Sequence, residues 1–581
     1  MRPRPSRKHY WPVVVIVAVT AANTALTFRQ DDITDDQANM LTEVRKGSDP
    51  TLYPSDEIFS SSGPGALWRM RLPAWQAVLR AAGALGGERD PLNALRIVGA
   101  AALLLYLLSM YVLLYRQTHN TSIAVLVAAM SMCIFSVRRP YWGLGPIFSV
   151  TPATLCLAFV PLLALCFVRL RRRWSVLGVF FLAGLCGNLD PTIPASLVLV
   201  MLAALLAMGR FSGRSCGLAV LSALAAGAGA APAVVHYYAT FRAAAAGFLP
   251  AMPLWQLREI LDLAGANVLY PEVLIQLLRW LPMAALLAVP PALILSRTGR
   301  YRVRDLDAWL WLLLGALAVA FGFHGLVQVL AWRLGALPPV IEFFEALRLA
   351  MLPLYVVFAQ AAVHLIRVAR VNRPWVRGVL AVLAAVYIGA SFNTRTLRHM
   401  VSDAVATLGE AEQPGSAGPT RREELRAIAR WAADPAHTDP KALFVCPHAE
   451  MRLYGRRSIL CCPSDVWYLY HMAPGRLASW KERLEVQKPL LTSPGPSPAD
   501  IGRVTAAVQR HWRRRALPAA DTYILIPSQV KLERAAGARE ISPPGESWGR
   551  HWRVFQLLPR PPATTTSPTT ATAPTTATSP S

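Results

Sequence analysis

Charge is scarce in this chain: only 16% of its 581 residues are Asp, Glu, Lys or Arg, against roughly a quarter in an ordinary soluble domain. With 54% of residues hydrophobic, that shortage excludes a purely soluble enzyme. Acids are scarcer than bases, 34 Asp+Glu against 59 Lys+Arg, which leaves a formal charge of +25. In a soluble protein such an excess points to nucleic acid or an acidic surface, so its placement along the chain decides its meaning. Cysteine is sparse as well, eight residues with none in CxxC spacing, which removes the usual zinc-module patterns. The C-terminal region has no G-x-S-x-G elbow and no phosphate-binding glycine loop. Repeated halves, the mark of many transporters, are also missing, and a transporter therefore ranks third among the functions considered.

What the sequence has is long apolar runs. Crossing a hydrocarbon layer takes about 20 residues at 1.5 Å each, and eleven runs qualify: 11–28, 95–115, 121–137, 149–168, 174–189, 192–208, 216–235, 276–296, 308–332, 347–368 and 376–392. The first follows a basic stretch, Arg2, Arg4, Arg7 and Lys8, as in a signal peptide. No small-residue cleavage site precedes the polar segment, Ala21-Ala22-Asn23 being the nearest approach, so the run is read as a retained span. If it points outward, nineteen Lys and Arg fall in connections that would be cytoplasmic, whereas the short outside connections hold Arg138, Arg139, Arg333 and Arg348. That asymmetry is the positive-inside signal. It accounts for the basic excess without nucleic acid, and none is expected as a partner. The pair around Asn188-Leu189-Asp190-Pro191 reads as two short helices or one broken hairpin.

The expected fold class is therefore an all-α polytopic membrane protein of about eleven helices with a small C-terminal α/β extracytoplasmic domain. Residues 1–10 form a cytoplasmic basic N-terminus, 11–392 the membrane part with a first exported loop at 29–94, and 393–420 a linker. Residues 421–561 form the exported domain and 562–581 a Thr/Pro-rich tail too poor in apolar residues to fold. A smaller loop, 236–275, carries an amphipathic stretch at 254–263. In the exported domain a helix is expected at 421–433, with Leu425, Ile428, Ala429 and Trp431 on one face, and strands at 442–446, 458–461, 522–526 and 552–557. Cys133, Cys156, Cys166, Cys186 and Cys216 lie within spans, where they are expected as small buried apolar residues. Outside, a bridge from Cys446 to Cys461 or Cys462 is an expectation.

Most acids of the membrane half sit in the first loop, ten of them between 29 and 94, beginning with Asp31-Asp32-Ile33-Thr34-Asp35-Asp36. Four carboxylates in six residues raise one another's proton affinity, so something must compensate. A solvated acidic loop is one reading; a membrane-surface site for a general base or a divalent cation is the other. In a helix beginning near Thr34, Asp32 and Asp36 would share a face, as would Asp31 and Asp35.

A polytopic chain whose first exported loop opens on an acidic pair and which ends in a soluble exported domain resembles the GT-C-type membrane glycosyltransferases. More narrowly, Asp49-Pro50-Thr51-Leu52-Tyr53-Pro54-Ser55-Asp56 is similar to a D-P-x-L-[YF]-P-x-D segment of uncharacterised bacterial multi-span relatives of that superfamily. Their tail domains also resemble Ala442–Pro447 taken with Met451-Arg452-Leu453-Tyr454-Gly455-Arg456-Arg457-Ser458. The resemblance implies an enzyme of the bacterial inner membrane, N-terminus cytoplasmic. It would move a sugar from a polyprenyl-phosphate donor to an envelope glycan, lipid or protein on the extracytoplasmic face.

It places Asp31 and Asp32 where the superfamily's catalytic first-loop acid sits. Asp35 and Asp36 would ligate a divalent cation, Mg or Mn, or lie on an exposed face, and metal use stays open. Donor phosphate calls for cations near the outer leaflet: Arg348 is either an interfacial arginine or a phosphate clamp, and Arg139 makes a second basic spot beside Tyr141 and Trp142. Asp36 joins the substrate-binding candidates, and His236, with Tyr237 and Tyr238, would line a substrate entrance. Asp190 either serves inside the membrane or caps the span at Thr192. His324 is expected as an interhelical donor. The competing reading is a noncatalytic GT-C-like scaffold for envelope assembly.

Overall fold

The computed structural model describes residues 10–29, 33–61, 63, 65–86, 90–133, 150–171, 173–244, scattered positions between 256 and 291, 305–334, 342–368, 374–391, 398, 402, 420–492, 497–515, 520–530, 537–541 and 549–558. The apolar runs are helical through most of their described length: α1 (Trp11–Arg29), α4 (Leu92–Thr118), α5 (Thr121–Ser131), α6 (Pro152–Leu170), α7 (Val176–Cys186), α8 (Thr192–Met208) and α9 (Gly213–Ala244). Two shorter helices of the first loop, α2 (Asp35–Ser48) and α3 (Pro73–Gly86), lie between α1 and α4. The series continues with α10 (Leu306–Leu317), which passes through a π-helical segment, Ala318–Phe323, into α11 (His324–Arg333), and with α12 (Ala346–Val368) and α13 (Pro374–Ala390). Among the described residues, five helical stretches are long and apolar enough to cross a membrane: Leu92–Thr118, Pro152–Leu170, Gly213–Thr240, Leu306–Ala331 and Phe343–Arg367. The pair about Asn188 is two helices, α7 and α8.

One apolar core joins these helices, with Tyr106, Phe167, Trp309 and Tyr355 fully buried in it. The outer faces of α1, α7 and α9 instead expose large apolar side chains such as Val14, Leu182, Leu224 and Val235, as a lipid-facing surface requires. Three thiols depart from expectation: Cys166 and Cys216 are exposed and Cys186 is half-buried, while Cys133 and Cys156 are buried. The Cys216 thiol donates to the Phe211 carbonyl at 3.6 Å.

The α7–α9 contact depends on two glycines. A Cβ on Gly184 would stand 2.0 Å from the Ala226 carbonyl oxygen, and one on Gly229 would stand 2.3 Å from that of Phe181. Both obstacles are backbone, so the helices themselves would have to separate. Gly229→Ala is therefore expected to destabilise the chain by about 1–3 kcal/mol, the usual cost of overpacking. Gly227→Ala, whose Cβ would meet nothing within 4 Å, is expected to be neutral. Thermal unfolding of the two variants in detergent checks the difference.

The C-terminal region begins at α14 (Arg421–Ala433). Thr420 caps it through a capping box with Glu423, and Leu425, Ile428, Ala429 and Trp431 are all buried, as their spacing requires. A five-stranded sheet follows in the order β2-β1-β3-β5-β4: β1 (Leu443–Val445), β2 (Ser458–Ile459), β3 (Thr522–Pro527), β4 (Ala538–Ile541) and β5 (Trp552–Leu557). β1 runs parallel to β2 and β3, and β5 runs antiparallel to β3 and β4. Each expected strand is present. β4 escapes a sequence reading because it is short and only half-buried. Also additional are α15 (Glu450–Leu453), α16 (Asp465–Met472), α17 (Leu477–Thr492) and α18 (Pro498–Arg515).

The first loop and the C-terminal region are one folded unit. Ile33, Met40, Leu41 and Trp75 of the loop share a core with Ile428, Phe444, Ile459 and Trp552 of the sheet. Tyr53, Phe59 and Trp68 pack with Tyr468, Leu469 and Trp480 in a second core. The segment after α1 is thus built into the C-terminal domain.

The expected cysteine bridge is not formed: Cys446, Cys461 and Cys462 are all free and buried. Neighbouring residues 461 and 462 point to opposite sides, Cys461 into the second core and Cys462 with Cys446 into the first. The sulfurs have other partners, Gln487 Nε2 at 2.7 Å from Cys461 Sγ and Arg452 Nη1 at 3.4 Å from Cys462 Sγ.

Candidate functional site at the loop–domain junction

The first loop positions its acids through a helix start. Thr34, with extended backbone, caps α2: its Oγ1 accepts from Gln37 N at 3.3 Å, and Gln37 Oε1 accepts from Thr34 N at 3.1 Å. Asp35 and Asp36 then occupy the first turn, where the helix dipole favours negative charge. Because the helix starts at Asp35, the expected facing of Asp32 with Asp36 and of Asp31 with Asp35 finds no continuous helix through Thr34. Asp31 and Asp32 lie outside the described residues, as does Arg139.

Asp35 and Asp36 receive different partners. The Asp35 carboxylate accepts the Ala449 N–H at 3.0 Å, and burial raises its pKa against that hydrogen bond. Asp36, with 36% of its side chain exposed, pairs with Arg71. Arg71 also reaches back two turns along α2, Nε to Glu43 Oε1 at 3.0 Å. Residues 36 and 43 share a helix face, so one guanidinium serves both acids. Tyr468 of α16 donates its hydroxyl to Glu43 Oε1, and Arg71 lies 5.9 Å from the Tyr468 ring centroid. Glu43 is fully buried, and among the described residues its Oε2 has no hydrogen-bond partner. Burial pushes its carboxyl up to about 7 although Arg71 and Tyr468 pull it down.

The helical body meets this cluster at the loop-facing end of α9. His236 Nε2 lies 3.0 Å from the Arg69 carbonyl oxygen, in the short 3-10 helix Leu67–Met70. Tyr237 is close enough to feel the charges of Asp190, Arg71 and Glu43. Asp190 itself caps the start of α8, its Oδ1 accepting from Thr192 N at 2.8 Å and Ile193 N at 3.4 Å. Glu345 acts electrostatically on Asp190, and Arg348 Nη1 pairs with Glu345 Oε2 at 3.1 Å. Asp36 and His236 therefore come to one junction, the first through Arg71 and the second through the Arg69 carbonyl, while Arg348 stays paired with Glu345. His324 lies elsewhere: its Nε2 is 2.8 Å from Gln328 Nε2, one turn along its own helix, and its ring centroid is 6.3 Å from that of Phe344.

Three partners of this junction, Glu43, Arg71 and Tyr468, escape a sequence reading. The one available signal is the seven-residue spacing of Asp36 and Glu43, and it does not name Arg71. A second buried cluster explains the two resembling segments. Arg452, fully buried, holds Asp56 (Nε–Oδ2 2.8 Å, Nη2–Oδ1 3.1 Å) and Asp465 (Nη1–Oδ1 2.6 Å, Nη2–Oδ2 2.9 Å). Tyr53, whose φ of 59° is unusual for a bulky residue, donates its hydroxyl to the Arg452 carbonyl at 2.9 Å. The Asp49–Asp56 segment and the Met451–Ser458 segment are thus each other's binding surfaces, and their chemistry is structural.

No protein-family model matches the chain, and no curated protein matches it. Among solved structures, an oligosaccharyltransferase of Archaeoglobus fulgidus, tethered by a disulfide bond to an acceptor peptide containing the NVT sequon, is similar over 90% of this chain and 70% of its own. The identity is 12% and the TM-score 0.40.

Among the described residues, no group of three or more His, Cys, Asp or Glu is placed to hold a metal ion. Asp35 and Asp36 direct oxygens to Ala449 and Arg71, so these residues do not make a ready Mg or Mn site. The amphipathic stretch 254–263 lies mostly outside the described residues. Its Glu259 pairs with Lys481 of α17, Oε2 to Nζ 2.6 Å.

Proposed function

We propose that the chain is a GT-C-like membrane glycosyltransferase that moves a sugar from a polyprenyl-phosphate donor to an envelope acceptor. In this reading the apolar helices form about eleven spans of the inner membrane, with the N-terminus cytoplasmic. The loop–domain unit stands on the extracytoplasmic face. The observation that carries the reading is the junction itself, where Asp36, Arg71 and Glu43 of the loop, Tyr468 of the domain, and His236, Tyr237 and Asp190 of the body meet at the edge of the apolar bundle. A lipid-linked donor must present its sugar at such an edge.

Transfer requires that the acceptor oxygen attack the anomeric carbon while the bond from that carbon to phosphate oxygen breaks, and that the acceptor proton leave to a base. Asp31 or Asp32, just ahead of the α2 cap in sequence, would take the proton, and Asp36 would bind substrate. Arg348 and Arg139 would face the departing phosphate, and His236 the acceptor's path. Asp31→Asn, Asp32→Asn and the double variant are expected to lose transfer from polyprenyl-phosphate sugars by about 10²-fold or more, the usual contribution of a general base. Unchanged transfer in all three would remove the assignment.

The scaffold reading draws on a specific observation: the loop acids with described side chains largely face arginines, Asp36 and Glu43 on Arg71, Asp56 on Arg452, Glu57 on Arg483 and Asp90 on Arg96. It predicts that the acid variants keep the phenotype of the parent while loss of the C-terminal domain does not.

A further inference from the structure

Helix α9 is bridged from outside in its middle. Pro232 removes one backbone donor from its ladder. One residue later, Ala233 N donates to Asn188 Oδ1 at 2.9 Å, while Asn188 Nδ2 donates to the Gly229 carbonyl at 2.9 Å. Gly229 and Ala233 are the i and i+4 pair that an uninterrupted helix bonds directly. The Asn188 amide therefore spans that rung, and Nδ2 also donates to Leu185 O at 2.9 Å on its own segment. Side-chain insertion and proline are two of the recognised causes of a helix bend, and here both act within one turn. Gly184 and Gly229 bring α7 near enough for Asn188 to reach.

Beyond this point α9 reaches the junction through His236 and Tyr237. His236 meets the Arg69 carbonyl, Thr240 Oγ1 donates to the His236 carbonyl at 2.7 Å, and Tyr237 feels Asp190, Arg71 and Glu43. Asp190, which caps α8, is two residues from Asn188. The turn between α7 and α8 thus holds one helix start with Asp190 and steers another helix with Asn188.

We propose that Asn188 is a positioning residue: by bridging Gly229 and Ala233 it sets the direction in which the loop-facing arm of α9 carries His236 and Tyr237 to the acid junction. The proposal rests on the glycosyl-transfer reading only for calling that junction the active site. The amide is needed whole, as acceptor for Ala233 and donor to Gly229. Asn188→Asp keeps the first contact and loses the second; Asn188→Ala loses both.

The test measures distances by spin labels in the full-length chain, with Cys166 and Cys216 changed to serine and Cys186 to alanine. One label pair sits at Leu85→Cys and Tyr238→Cys, the other at Trp174→Cys and Phe211→Cys; all four positions are exposed. Tyr238 stands six residues beyond Pro232, about 9 Å along the axis, so a change of about 20° in the bend moves it about 3 Å. Asn188→Ala is expected to shift the 85–238 distance by about that much and leave the 174–211 distance unchanged, with Asn188→Asp giving a smaller shift. Superimposable 85–238 distributions in wild type and Asn188→Ala would overturn the proposal. So would equal changes in both pairs, which would mean general loosening. Because no sugar transfer is measured, this outcome is independent of whether the chain proves to be a glycosyltransferase.

Discussion

Arg452→Met is expected to destabilise the chain by about 3–5 kcal/mol, the cost of leaving buried charges unpaired, and to sharply lower its yield in membranes. Arg452 is fully buried and donates to Asp56, Asp465, Asn39 and Cys462 at once. Burial alone would raise the Asp56 carboxyl, yet Arg452 and the backbone N–H groups of Ile459 and Ile58 hold it below the usual range. Removing the guanidinium therefore strands two carboxylates and opens the seam between loop and sheet. Arg452→Lys is expected to fail nearly as badly, because an ammonium cannot present the planar fork that binds two carboxylates. Arg452→Met with Asp56→Asn and Asp465→Asn is expected to recover part of the loss. Thermal unfolding and membrane yield of the three variants measure it.

Glu43→Gln is expected to become progressively more stable than the parent as pH rises from about 4.5 to about 7. An unfolded Glu43 ionises near 4.5, while the buried one keeps its proton to about 7. Between those values the folded chain binds more protons, so the group's contribution is full below the first and lost as pH passes the second. The shift corresponds to ~3 kcal/mol. His448 works in the opposite sense: burial, with Arg421 and Arg422 nearby, holds it down to about 4, so its contribution is lost as pH falls from the ordinary histidine range. His471, held down to about 3 by burial, acts in the same sense as His448, so the parent's own profile sums several groups, and the difference between parent and Glu43→Gln isolates the glutamate. Unfolding midpoints from pH 4 to 8 provide the measurement; a difference that does not change with pH would contradict it.

These two clusters mark what a single sequence conceals. Apolar runs foretell α4, α6, α9 and α12 because a span must be continuously apolar, and Leu425, Ile428 and Ala429 foretell the buried face of α14 because a helix repeats every 3.6 residues. Neither pattern tells which acid meets which arginine. Glu43 and Tyr468 are 425 residues apart in the chain, and Asp56 and Arg452 are 396 apart. A lone Glu or Arg in an amphipathic stretch looks like part of a solvated face. The capping box Thr34-x-x-Gln37 was legible in principle, and it moves the start of α2 beyond Asp31 and Asp32. The acid-rich loop had signalled that something must offset its charge. The offsets are Arg71, Arg452, Arg483, Arg96 and the Ala449 amide, most of them supplied by distant parts of the chain. Asn188 was visible only as an ambiguous break, because its partner rung in α9 is about forty residues away.

The central claim is that the junction transfers sugar. It is tested most directly by purified chain in proteoliposomes, supplied with radiolabelled polyprenyl-phosphate sugars and an envelope extract as acceptor. Wild type is compared with the Asp31→Asn/Asp32→Asn variant and with Asp36→Asn, each matched to wild type in unfolding temperature. The account predicts label on the acceptor with wild type and a fall of about 10²-fold or more in the double variant, with a smaller loss for Asp36→Asn. Equal transfer by all three proteins, or no transfer by any, would contradict it and leave the scaffold.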